Sequence, residues 1–252
     1  MTHLAGKTAV VLGASGTANF GSAIARRLAA EGANIVVAAR RKEPLNQLAS
    51  ELGGTAVACD VTREGDIENL FRVASSTYGQ VDIAVFSAGI HSGVLIADLT
   101  VEDIRPTLDV SVVGALLFFR YAAEAMTDGG SVVTISSLTA RIPGPGLAAY
   151  SAARAGIDYA IKVAAVEYGD QNVRFNSIAA GLIQTDMTEA FFAMQPVIQG
   201  HLDATPCGRM GNLDDMAEAA LFLADGQRSG YINGQVLDLA GGQNNGSLPR
   251  YE

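Results

Sequence analysis

The run Thr8-Ala9-Val10-Val11-Leu12-Gly13-Ala14-Ser15-Gly16-Thr17-Ala18-Asn19-Phe20-Gly21 decides how the rest of the chain is read. Residues 8–12 are almost continuously apolar, as in a strand buried on both faces, and Gly13 ends them. Beyond the glycine-bearing loop, Ile24, Leu28 and Ala29 carry a helical stripe. Strand, loop and helix then repeat. The pattern predicts strands at 34–39, 55–59, 83–87, 131–136, 174–179 and 235–239. Helices fall at 42–52, 64–78, 101–126 (read as one long helical stretch), 150–168 and 213–224. Strands that alternate with helices and are apolar on both faces predict a doubly wound parallel sheet of about seven strands, with helices on each side.

No linker rich in proline, or in glycine and serine, divides the 252 residues, so one α/β domain over 1–252 is expected. The long excursion is 185–212, and the glycine- and asparagine-rich tail 241–252 reads as irregular. With 49% hydrophobic and 17% charged residues, disorder and fibrous architectures are excluded. The net charge is −9, and the basic clusters are only Arg26-Arg27 and Arg40-Arg41-Lys42, which argues against nucleic acid or an anionic membrane as partner. Cys59 and Cys207 lack metal-ligand spacing, as do His3, His91 and His201, so no metal is expected. Neither a signal-peptide order nor an apolar run of membrane-spanning length is present, and the expected address is cytoplasmic.

In a doubly wound fold the first strand-to-helix turn receives a dinucleotide pyrophosphate. Glycines allow close backbone approach, and the free N–H groups of the helix's first turn attract the anion. Gly13 to Gly21, with Ser15, Asn19 and Phe20 among them, is placed for that work. The second strand should end beside the adenosine ribose, where an acidic residue selects a 2′-hydroxyl and arginine accommodates a 2′-phosphate. Here Arg40-Arg41 follow Ala39 and no acidic residue does, which favours NADP(H) over NAD(H). Ser15 could add a hydroxyl to the same phosphate.

Several further segments, in order, resemble the short-chain dehydrogenases/reductases of the classical type over essentially the whole chain. Gly13 to Gly21 is similar to their TGxxxGxG loop, Cys59-Asp60-Val61 to the adenine-contacting segment, and Phe86-Ser87-Ala88-Gly89 to the NNAG strand end. Ser137 precedes Tyr150 by thirteen residues, as the family's catalytic serine and tyrosine are spaced. Ala180-Gly181-Leu182-Ile183-Gln184-Thr185 resembles the PGxIxT segment on the nicotinamide side, and 231–235 the final turn and strand. The resemblance implies Asp60, Val61, Ser87, Ala88, Gly89, Ile183 and Thr185 at the cofactor, Gly181 at the substrate, and a homotetramer built on a shared four-helix interface. The chemistry asks for the same groups independently. Reducing a ketone needs hydride at carbon, a proton at oxygen and donors for the developing oxyanion. A phenol, ordinarily near pKa ~10, gives that proton readily only beside a cation. Arg154, four residues beyond Tyr150, lies on the same helix face, and Ser137 would bond the substrate oxygen.

Three departures stand out. The family's YxxxK is here Tyr150-Ser151-Ala152-Ala153-Arg154; arginine keeps the charge but cannot release a proton. Lys162, about 120° around the helix from Tyr150, does not replace it. The helical asparagine that holds the family's relay water falls at Ser111, which has fewer donors. Finally, eight positions separate Gly13 from Gly21 where the motif has six, so two residues within 17–20 must bulge, somewhat as in the divergent enoyl-reductase branch. That branch's spacing of seven would put Ile157, not a cation, opposite Tyr150. Three readings follow: an alcohol/ketone oxidoreductase, an enoyl reductase, or a dinucleotide-binding protein with attenuated catalysis. The excursion 185–212 corresponds to the family's substrate lid, and its Met187, Phe191, Phe192, Met194 and Ile198 suggest an apolar or cyclic substrate. His91, just past Gly89, could face the same pocket. Small apolar residues along the 150–168 helix exceed what one sheet face needs, which also suggests an oligomer.

Overall fold

The computed structural model describes residues 3–245. Its seven strands are β1 (Thr8–Leu12), β2 (Asn34–Ala39), β3 (Thr55–Ala58), β4 (Ile83–Phe86), β5 (Gly130–Ser137), β6 (Val173–Ala180) and β7 (Val236–Leu239). All pair in parallel, in the order β3-β2-β1-β4-β5-β6-β7. Alternate side chains enter two cores. Val10, Leu12, Val36 and Phe86 pack on one face with Phe118 and Phe175, while Ala9, Val11, Ile35 and Val85 pack on the other with Ile24 and Leu221. This two-sided burial is why the strands read as apolar runs without alternation.

The helices are α1 (Phe20–Ala30), α2 (Lys42–Leu52), α3 (Glu64–Tyr78), α4 (Val101–Leu108), α5 (Gly114–Ala125), α6 (Ala148–Glu167), α7 (Glu189–Phe192), α8 (Gln195–Ala204), α9 (Leu213–Ala224) and α10 (Gly226–Ser229). From β1 the chain crosses to β2 on one side, and the sheet continues to β4 on the other. The crevice above Gly13 is therefore the switch point of the topology, where such folds bind ligands.

The long helical stretch expected over 101–126 is present as three consecutive helical segments. A π-helical turn, Asp109–Val113, separates α4 from α5. Pro106 lies inside α4 and offers no N–H to the preceding turn, and at Gly114 a Cβ would come within 2.8 Å of the Val61 carbonyl. The widened turn seats α5 against the β3 end and carries Ser111 fully inside. The excursion 185–212 contains α7 and α8. Gln243–Asn245 form a short 3-10 turn; the rest of the tail, 246–252, and residues 1–2 lie outside the described residues. Among the described residues, no helix is long and apolar enough to cross a membrane.

Candidate active site

The cleft over the switch point gathers most of the residues expected at a cofactor: Gly13, Ser15, Asn19, Phe20, Arg40, Arg41, Asp60, Val61, Ser87, Ala88, Gly89 and Thr185. Two glycines are required by close approach. At Gly13 (φ +92°) a Cβ would lie 2.8 Å from the Ser87 carbonyl carbon, and at Gly21 one would lie 2.6 Å from the Gly13 oxygen. The start of α1 is thereby drawn onto the end of β1. Asn19 fixes this entry, since its Oδ1 accepts the Ser22 N–H at 2.7 Å.

At the adenosine end the exposed Arg41 donates through Nη2 to the Ser15 carbonyl at 2.8 Å and through Nε to the Ser15 hydroxyl at 3.3 Å. A guanidinium thus stands against the glycine loop. Asp60 holds its own turn: its Oδ1 accepts the Thr62 N–H at 3.0 Å and hydroxyl at 2.8 Å. The Thr62 amide, then Arg40 and Arg63, hold this carboxyl below the ordinary carboxylate range. Cys59, beside it, is buried, and burial pushes its thiol up to about 12, so it is no nucleophile at neutral pH.

At the opposite end, β5 delivers Ser137 and the first turn of α6 delivers Tyr150. The Ser137 oxygen accepts both the N–H (3.2 Å) and the hydroxyl (3.0 Å) of Thr139, which leaves its own proton to donate. Arg154, only 5% exposed, carries its guanidinium carbon 5.0 Å from the centre of the Tyr150 ring. It donates through Nη1 to the Ile135 carbonyl at 2.8 Å and through Nη2 to the Ala88 carbonyl at 3.4 Å. Gly89 makes the room: a Cβ there would overlap Nη2. The arginine therefore ties the ends of β4 and β5 together beneath the tyrosine, and its Nε is buried without a partner, as is Ser111 Oγ on the π-helical turn. These buried polar atoms without protein partners mark where ligand or water is expected. Lys162 points elsewhere, 5.9 Å from the Tyr159 ring centre.

His91 does face this centre. Its ring lies edge-on to Tyr150 with centroids 6.0 Å apart and 6.2 Å from Phe191, and its Nδ1 is buried and unpartnered. Phe191 is thus brought to the site, whereas Phe192 forms no ring pair among the described residues. Gly181 and Ile183 line a separate cavity under residues 205–211 and the end of β7, and of the PGxIxT-like segment only Thr185 reaches the dinucleotide cleft. Two acidic residues escaped the reading of the sequence. Asp158, eight residues beyond Tyr150, is buried behind Arg154; it accepts the Ser177 hydroxyl at 2.8 Å and lies 3.9 Å from Arg141 Nη2, and burial raises its carboxyl. A lone carboxylate on an alanine- and isoleucine-rich helix face was the available signal. Asp186 follows Thr185 directly and lines the cleft; nothing in its spacing announced it.

A parallel sheet with a glycine cradle at its switch point, and Ser, Tyr and a cation at the cleft's far end, defines an oxidoreductase built around a nicotinamide dinucleotide. The chain belongs to the short-chain dehydrogenase/reductase family. A family model described as "Enoyl-(Acyl carrier protein) reductase" matches residues 13–244. An uncharacterized oxidoreductase of Mycobacterium bovis is 37% identical over 243 residues, covering 94% of this chain and 96% of that one. Carbonyl reductase family member 4 of Danio rerio is 34% identical, covering 94% and 97%. The crystal structure of a short-chain type dehydrogenase/reductase from Mycobacterium ulcerans superposes with a TM-score of 0.92 at 29% identity, covering 96% and 91%.

Proposed function

We propose that the protein interconverts a secondary alcohol and a ketone, with NADP(H) preferred over NAD(H). The observation that carries the reading is Arg154 buried against the Tyr150 ring and bonded both to Ala88, at the cleft, and to Ile135, on the strand that ends in Ser137. When bound, the dinucleotide supplies or accepts hydride. The chain's own residues handle the oxygen. Ser137, its lone pairs engaged by Thr139, donates to the substrate oxygen. Tyr150 gives that oxygen a proton in reduction and takes it back in oxidation. The charge of Arg154, held under the ring by two carbonyls, stabilises the negative charge that develops on the phenol oxygen. A guanidinium does not pass the proton on, so Tyr150 is refilled from the solvent side. Arg41 on Ser15 supports the preference for a 2′-phosphate. Residues 185–212 serve as the substrate lid, whose Phe191 lies against His91, which in turn lies beside Tyr150.

Enoyl reduction is the second reading, favoured by the long glycine loop and by the description of the matching family model. Against it, position 157, which that chemistry would need as the cation, is a buried isoleucine. The deciding experiment follows NADPH oxidation against cyclic, aryl and acyl-thioester ketones and an enone, beside NADH and the Tyr150→Phe variant. Ketone turnover that Tyr150→Phe abolishes supports the first reading; turnover of the enone alone supports the second; binding without turnover indicates a catalytically attenuated protein. The assembly proposed is a homotetramer, because α5 and α6 expose Leu116, Tyr159, Val163 and Val166, the last 84% exposed. A monomeric mass by light scattering at micromolar concentration would sink this.

A further inference from the structure

The stretch 17–20, within which the glycine loop exceeds the family spacing, includes the residues that meet the 185–212 segment. Asp186 donates its backbone N–H to the Ala18 carbonyl at 2.9 Å. Its Oδ1 in return accepts the Ala18 N–H at 3.3 Å and the Thr17 hydroxyl at 3.4 Å. Gly16 permits this approach, since a Cβ there would overlap both the Asp186 carboxylate and the Asn19 amide. The two segments leave the sheet from β1 and β6, which stand three positions apart in the strand order, about 14 Å at the usual spacing. Their contact therefore arches over the ends of β4 and β5, and Asn19 and Asp186 line the same cleft beneath it.

We propose that Asp186 is a positioning residue that latches the extended glycine loop to the lid over the seated dinucleotide and slows its release. The inference rests on the dinucleotide reading above and adds a kinetic function to the loop's extra length. Charge and geometry oppose each other here. A carboxylate near a pyrophosphate weakens binding by repulsion, whereas the latch retains the ligand. Asp186→Asn removes the charge and keeps an acceptor; Asp186→Ala removes both, so the pair isolates the latch.

The test is a stopped-flow chase of NADPH from the full-length protein, read by the fluorescence of the reduced nicotinamide. Two exposed side-chain hydrogen bonds correspond to a release roughly three- to tenfold faster in Asp186→Ala than in Asp186→Asn. Thr17→Val, which keeps the carboxylate and loses one of the two bonds, should release NADPH faster than the unsubstituted protein, by less than that factor. Equal release rates in the Ala and Asn variants would overturn the latch while leaving the dinucleotide site standing. Failure of the unsubstituted protein to bind NADPH would overturn the dinucleotide reading itself, and the latch with it.

Discussion

The two ends of the cleft are built differently. At the chemical end, Arg154 is buried, Ser137 terminates the eight-residue strand β5, and Tyr150 rides on the twenty-residue helix α6. At the adenosine end, Arg40 and Arg41 are exposed, and among the described residues Arg41 is held only by hydrogen bonds to Ser15. Groups that must meet a reacting oxygen with sub-ångström accuracy sit on packed elements. Groups that choose among cofactors sit on loops, where substitution costs the fold little. If this division holds, substitutions at the chemical end should cost both turnover and stability, and those at the adenosine end should change selectivity alone.

The largest effect is expected from Tyr150→Phe, which deletes the acid and keeps the ring over Arg154. Ketone turnover should fall about 10²–10⁴-fold, with NADPH binding nearly unchanged by fluorescence titration. Residual turnover above a tenth of the original would mean that another group, His91 foremost, supplies the proton. Next comes Arg154→Lys, which restores the family's residue. A single ammonium cannot copy the fork that reaches both Ile135 and Ala88. Urea unfolding should show a loss of roughly 1–3 kcal/mol. No loss would mean that the tie between β4 and β5 contributes nothing, and the contrast between the two ends would weaken.

Arg41→Ala tests the other end. Its side chain is exposed, so the unfolding midpoint should stay put while the ratio of kcat/KM for NADPH over NADH falls about tenfold. An unchanged ratio would move the selectivity to Arg40 or remove it altogether.

The comparison also explains what could be read in advance. The apolar strands and the glycine loop are local patterns imposed by two-sided burial and by backbone approach, and the structure reproduces them. The helical stretch expected over 101–126 is present, but its π-helical turn was not legible, because the closeness of Gly114 to the Val61 backbone is tertiary and invisible in a helical period. Arg154 was legible as a cation on the face of Tyr150, but its carbonyl partners lie 19 and 66 residues away. Asp158 and Asp186 were missed for the same reason, since their partners come from β6 and from the glycine loop.

Asp158 provides the smallest and most discriminating test, because it lies behind the chemical end without touching the cleft. Burial raises its folded-state value, opposed by the Ser136 and Ser177 hydroxyls and by the charges of Arg141 and Arg154. A carboxyl whose value is higher folded than unfolded releases its proton more readily in the unfolded chain. Its contribution to stability is therefore complete below the ordinary carboxylate range and is lost as pH rises through the folded value. Asparagine keeps the shape and never ionises, so Asp158→Asn should raise Tm by about 2 °C at pH 8 and leave it unchanged at pH 4. A lower Tm at pH 8 would show that the ion pair with Arg141 outweighs the cost of burial. Asp158 would then belong with Arg154 among the groups that hold the chemical end together.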